Sequence, residues 1–465
     1  MALDKTWLQE FAKAERGAFE DVLEAFVEVP SISADPERKR DVERMAELGA
    51  ATIRRFGGKA ELHRVDGGSP VVLGGFEAGP GLPTVTIYNH LDVQPAARDA
   101  EGWKTEPFVF TRQGDRYHGR GTTDDKGPAV TALFGARAAR DAGVPVNVRF
   151  LWETEEEIGS PHFDATLKKI GTSAAADVVV VSDTEWLSRD RPALSAGLRG
   201  LVRLIFTLAT AEKDTHSGTG GGVARNPLAE LAQLASEICD ARTGRIRIPG
   251  FYEDVAPVSR REAEDFMKSG FSVKKFMHDH QLKSIRTKDP LEVMMRLWAL
   301  PTFEVHGLVG GYSGPGVKTV IPPRAELKAT VRMVPNMKGE RVARLVKAWT
   351  RKHWPDVKVE IGSAAPAYKA VTTGPYAEAA VRAIKFAFGK SPVFVREGGT
   401  IGAVVSMERQ LKAPLVFMGL SLPEHGYHAP NENFDWGQAG GGMVAFAKLL
   451  EEVSAIAPAR ARKKR

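Results

Sequence analysis

A chain of 465 residues with 43% hydrophobic content outgrows a single core, so two globular domains are expected, and no apolar run is long enough to span a bilayer. Five of its net +6 charges sit on Arg460, Arg462, Lys463, Lys464 and Arg465, which leaves a nearly neutral body with a basic tail and speaks against a nucleic-acid partner. The single cysteine, Cys239, excludes an intrachain disulfide and a thiolate metal cluster, and the start MALDKTWLQEF has no apolar signal region, so a cytoplasmic protein without a membrane partner is expected, with any transition metal held by His and carboxylates.

Apolar residues at helical spacing predict a helix over 8–28, ahead of the loop Pro30-Ser31-Ile32-Ser33, and a second over 38–56, ended by Gly57-Gly58. Short apolar runs at 84–88, 146–152 and 178–181 then read as buried strands, with a helix at 127–142 between the first two. Strands alternating with helices predict an α/β domain built on a doubly wound, largely parallel sheet. From Gly197 the texture changes to strands at 201–210, 317–321 and 325–334 and a helix at 341–352, an α+β insertion. Helices at 376–388 and 437–453 and strands at 393–396 and 415–418 are expected to rejoin the first sheet. The domain reading is therefore 1–196 and 374–465 for the first domain, 197–373 for the insertion, and a tail at 459–465.

Open α/β sheets bind ligands outside the carboxyl ends of their strands. Three predicted strands end in such residues: TVTIYNHLD at His90 and Asp92, VRFLWETEEE at Glu155 to Glu157, and VVVVSD at Asp183. One acid at a strand end is ordinary turn chemistry; three ends carrying only His and carboxylate point to a metal site. Between the first two lies GRGTTDDKG. An isolated acid pair before Gly127-Pro128 reads as a helix cap, but Gly119, Gly121 and Gly127 let the backbone approach a ligand, and Asp124 has two oxygens to share between two ions. The spacing of a phosphate loop is absent, and SGTGGG after His216 lacks the strand-to-helix context of a dinucleotide site. PEHGYHAPNENF carries two histidines, and the residues alone do not choose between His425 and His428.

Taken together, NHLDVQP, GRGTTDDKG, EEEIGS, VSDTEW and GYHAPNE resemble, in order and along the whole chain, the dinuclear zinc peptidases of family M20, typified by aminoacylase, carboxypeptidase G and carnosinase. The resemblance implies a zinc-peptidase-like catalytic domain with an inserted lid and dimerisation domain. It implies His90 and Asp183 on one metal, Glu157 and His428 on the other, Asp124 bridging, Asp92 orienting His90, and Glu156 as general base. It also implies a cis peptide after Asp124. His425 is left as a surface or satisfied core histidine rather than a ligand, and Glu155 without a role. A mixed His and carboxylate set suits two zinc ions, with manganese or cobalt accepted.

Within the family, the likeness is nearest to the carnosinase and cytosolic nonspecific dipeptidase branch, through KDTHSG, KTVIP, VRMVPNM and REGGTIG. That branch implies that His216 reaches across a homodimer to the partner's oxyanion, and that Arg332 grips the substrate carboxylate. Thr319 and Thr400 are implied as further contacts. The expected activity is hydrolysis of small peptides at the amide bond. A deacylase of N-acyl amino acids or succinyl diamines would use the same ligands, and a non-catalytic metal or peptide binder would have no use for Glu156. Asn89, where many relatives carry Gly, is the main departure.

Overall fold

The structure, a computed structural model, describes residues 2–457; the basic tail at 459–465 lies outside the described residues. Its central sheet has six strands in the spatial order Lys59–His63, Val71–Phe76, Asn147–Glu153, Thr84–His90, Val178–Val181 and Leu415–Phe417. The last four run parallel, and the first two form an antiparallel edge. Buried Val85, Ile87, Val148, Phe150, Val178 and Val180 explain why these strands read as continuous apolar runs: helices cover both faces.

On one face, helix Lys126–Asp141 packs against the long helix Trp436–Ser454. Gly135 makes this approach possible, since a methyl there would stand 2.6 Å from Cβ of Phe446 and 2.8 Å from the Met443 carbonyl. Helix Lys39–Arg55 adds Val42, Met45, Ala46, Ala50 and Ile53, the i, i+3, i+4 stripe that its sequence spells.

A second, antiparallel sheet runs Thr302–Val309, Arg324–Met333, Gly200–Ala209, Lys358–Ala365. Its strand Gly200–Ala209 alternates, with Val202, Leu204, Phe206 and Leu208 buried beneath helices Pro227–Ile238 and Gly339–His353. The fold class expected from the sequence is thus the one observed. Among the described residues, no helix is long and apolar enough to cross a membrane.

Three local expectations are corrected. The predicted helix 8–28 is two, Lys5–Ala14 and Arg16–Val27, because Glu15 leaves helical geometry (ψ 1°) and its carboxylate takes two bonds from Arg137 at 2.7 and 2.8 Å. Within 317–321 only Val320–Ile321 is strand, since its partner is just the two residues Thr215–His216. Strand Val393–Arg396 does not rejoin the central sheet. The edge beside Val178–Val181 is taken by Leu415–Phe417, and Val393–Arg396 pairs parallel with Ala193–Leu198 in a small separate sheet.

Candidate metal centre

The parallel strands all open toward one end of the sheet, and their carboxyl ends bring the predicted residues together. His90 closes Thr84–His90 and is fully buried. Its Nδ1 lies 3.0 Å from the Asp92 carbonyl, an acceptor only, so Nδ1 carries a proton and Nε2 is the nitrogen that would be offered to a metal. That Nε2 stands 2.9 Å from Oδ1 of Asp124 and 3.8 Å from Oδ2 of Asp183. On the other side, His428 Nε2 is 3.0 Å from Oδ2 of Asp124 and 3.2 Å from Oε2 of Glu157. Two groups result, His90/Asp124/Asp183 and Asp124/Glu157/His428, each with its donor atoms within 4.8 Å of one another.

Local chain geometry aims these groups. The Asp124–Asp125 peptide is cis, as the resemblance implied. Asp125 turns inward, and its Oδ2 accepts from Nδ2 of Asn89 at 2.8 Å and from the His90 N–H at 3.3 Å, so the unusual Asn89 has a partner of its own. His428 sits in the left-handed region at φ 56°. The Asp92 carboxylate is 3.5 Å from the His90 ring, while its firmer bonds come from the N–H groups of Glu156 (3.2 Å) and Glu157 (3.0 Å). Asp92 therefore orients His90 chiefly through its carbonyl and holds the glutamate turn with its side chain. Glu155 is a brace, accepting from the N–H groups of Ser69 and His162 and lying 3.0 Å from Nδ1 of the His162 ring. His425 is a satisfied core histidine, 2.9 Å from Asp435, with the Leu422 N–H donating to its Nδ1.

The electrostatics are those of crowded, buried acids. Burial, reinforced by Asp124 and Glu157 and opposed by the imidazoles, pushes Asp183 up to about 7. Burial likewise drives Glu156 well above the carboxylate range and raises Glu157. Burial disfavours the imidazolium of His428, yet Asp124 and Glu157 outweigh it and lift the ring to about 11. Crowded acids that resist ionising are what a divalent cation between them relieves. A donor set of two imidazoles and three carboxylates, with no thiolate, fits hard or borderline divalent ions.

Asp124, Glu157, Asp183 and His428 line a cavity of about 580 Å³, with His90 fully buried behind them. Glu156 lines it as well, as do Arg203, Arg332 and Thr400. Arg332 Nη1 donates to Thr400 Oγ1 at 2.9 Å, and the Thr400 hydroxyl donates onward to the Arg199 carbonyl. His216 and Thr319 are elsewhere. Both are exposed and joined to each other's segments, with the Ser217 N–H donating to the Thr319 carbonyl at 2.9 Å, and neither lines the cavity.

The sequence reading passed over four cavity residues. Gln94 donates to Glu157 Oε2 at 2.7 Å and Tyr427 to Asp183 Oδ1 at 3.4 Å; both lie inside quoted motifs, which was the available signal. Glu185, pushed up to about 7 by burial and by Asp124 and Asp183, follows Asp183 by two residues. Arg203 gives no local signal, being one charge in an alternating strand.

Clustered His and carboxylate donors at the carboxyl end of a largely parallel α/β sheet, beside a cavity also lined by Arg203 and Arg332, are the setting of a metal-dependent hydrolase. The chain belongs to the peptidase family M20/M25/M40, whose family model matches residues 86–452. It is 32% identical to the Cys-Gly metallodipeptidase dug1 of Schizosaccharomyces pombe, over 98% of this chain and 100% of that protein. It is 30% identical to the Beta-Ala-His dipeptidase of Homo sapiens, over 91% of this chain and 88% of that one. The crystal structure of human carnosine dipeptidase 1 superimposes with a TM-score of 0.88 at 28% identity, covering 97% of this chain and 99% of the other.

Proposed function

We propose that this M20 metallopeptidase is a two-metal dipeptidase that cleaves the amide bond of small unblocked peptides. The observation that carries the reading is the pair of donor groups sharing one carboxylate, that of Asp124. His90 and Asp183 would hold one ion and Glu157 and His428 the other, with zinc as the resident metal and manganese or cobalt as substitutes. Such ions supply Lewis acidity toward the scissile carbonyl and acidify water.

The chain's own groups do the rest. Glu156 lines the cavity beside the donors, where burial raises its affinity for a proton, and it is the group that would take a proton from water and deliver it to the departing amine. Asp92 holds the N–H groups of Glu156 and Glu157, so base and ligand are set by one side chain. Arg332, fixed by Thr400, offers a guanidinium fork to the substrate's terminal carboxylate. A free carboxylate rather than a neutral end suits that guanidinium.

His216 and Thr319 lie outside their own cavity, which is what a residue serving a partner subunit requires. We assign His216 to the oxyanion of the partner's site in a homodimer formed through the 197–373 insertion, with Thr319 beside it. The deciding experiment strips the protein of metal, restores zinc, manganese or cobalt separately, and compares turnover of a dipeptide panel with that of N-acetylated amino acids. Metal-dependent cleavage of free dipeptides is expected; exclusive turnover of acylated amino acids would replace this reading with a deacylase.

A further inference from the structure

The turn that presents Asp124 has no ladder to hold it, so its backbone donors must go elsewhere. Three of them go to one side chain. Glu432 Oε2 accepts from the N–H of Gly121 at 2.9 Å, and Oε1 accepts from the N–H groups of Thr123 at 2.9 Å and Asp124 at 3.0 Å. Arg120 Nη1 donates to the same Oε2 at 2.8 Å, and both side chains are buried, 2% and 0% exposed. The second arm of Arg120 reaches the His428 carbonyl at 3.5 Å, and its guanidinium lies over the Trp103 ring, 5.1 Å from the centroid. In the opposite direction, the Gly119 N–H donates to the Glu432 carbonyl at 3.1 Å.

Asp124 and His428 thus sit on two segments, remote in sequence, that are laced by one carboxylate and one guanidinium. An apolar pair could fill the same space and often holds a fold at least as well as a buried ion pair. It could not direct the peptide groups on either side of Thr123, and those peptide groups aim the Asp124 side chain. Rigid support of this kind is what keeps ligand oxygens at binding distance.

We propose that Glu432 is the positioning residue of the metal centre: with Arg120 it sets Asp124 against His428, so metal affinity depends on it although its carboxylate is turned to the backbone. The inference rests on the reading of Asp124 and His428 as ligands.

The test uses the full chain, stripped of metal and titrated with cobalt(II) alone, read by competition with a chelating dye and by the visible absorption of the cobalt-loaded protein. Glu432→Gln places an N–H2 donor against backbone donors. It is expected to weaken cobalt binding by about ten- to a hundredfold and to change the absorption spectrum, while the metal-free protein keeps its circular dichroism. Affinity and spectrum equal to those of the unaltered chain would overturn the proposal, because a merely structural brace would lower melting temperature alone. Should Glu432→Gln fail to fold, Arg120→Lys carries the same test. Lysine keeps a cation beside Glu432 but cannot also span to the His428 carbonyl, so weaker cobalt binding and an altered spectrum support the proposal, and unchanged values overturn it. Asp124→Asn separates the two levels: if it binds cobalt as tightly as the unaltered chain, the ligand reading itself fails.

Discussion

One oxygen of the Asp124 carboxylate lies 3.0 Å from Nε2 of His428, though the two residues come from opposite ends of the chain. The other oxygen faces His90, so a single side chain joins two donor groups.

This sharing orders the effects of ligand substitutions. Asp124→Ala is expected to abolish binding at both groups together, whereas His428→Ala loses it at one. Metal analysis after dialysis against a fixed free-zinc concentration reads the difference. In the unaltered protein, cation at about a hundred times its Kd should stabilise the fold by roughly 2.7 kcal/mol, seen as a rise in melting temperature that Asp124→Ala lacks.

Glu156 lines the cavity and its N–H is pinned by Asp92. Replacing it with Gln keeps the shape and removes the base. Turnover of a dipeptide should fall by about a hundred- to ten-thousandfold while metal content stays that of the unaltered chain. An unchanged rate would remove the proposed mechanism.

Arg332 lines the same cavity as the donor groups, with Thr400 as its partner. A charged hydrogen bond is worth about 1.5–3 kcal/mol, so Arg332→Ala should cut kcat/KM for a free dipeptide by roughly ten- to a hundredfold. A C-terminally amidated dipeptide, poor to begin with, should lose little. Equal losses on both substrates would refute the carboxylate role.

His216 is exposed and outside its own cavity. If it serves the neighbouring subunit, His216→Ala and Glu156→Gln proteins are each inactive, but unfolding and refolding them together should restore part of the activity. Mixed dimers then contain one site with both residues intact. No recovery in a mixture shown to be dimeric by sedimentation would exclude the role in trans.

Gly75 lies where Val71–Phe76 pairs with Asn147–Glu153, and a methyl there would overlap the Val148 carbonyl. Gly75→Ala should therefore lower stability by about 1–3 kcal/mol. The loss is measurable by urea unfolding, with metal affinity of the folded fraction unchanged.

The local chemistry was legible in the linear chain. Apolar runs ending in His90, Glu157 and Asp183 reveal both the buried parallel sheet and its chemically active end, because strand burial and strand-end polarity are written in adjacent residues. The family motifs supplied His428 over His425, a choice the structure makes physical by burying His425 against Asp435 and leaving His428 at the cavity.

Less local features were not legible. Glu15, where the helix breaks, meets Arg137 from a remote helix, and Val393–Arg396 pairs with Ala193–Leu198 while Leu415–Phe417 takes the sheet edge. Neither can be read from a window of neighbouring residues.

The linear chain sets the kind of donor and the strands that lead to it, since side-chain chemistry and hydrophobic period are properties of short segments. Only the folded chain gives the 3.0 Å approach of Asp124 to His428 and the lacing of their segments by Glu432 and Arg120, although the family resemblance already implied a shared metal and a role for His216 outside its own cavity. Those are distances between remote residues, and they exist only once the core has closed and each buried polar group has found its partner.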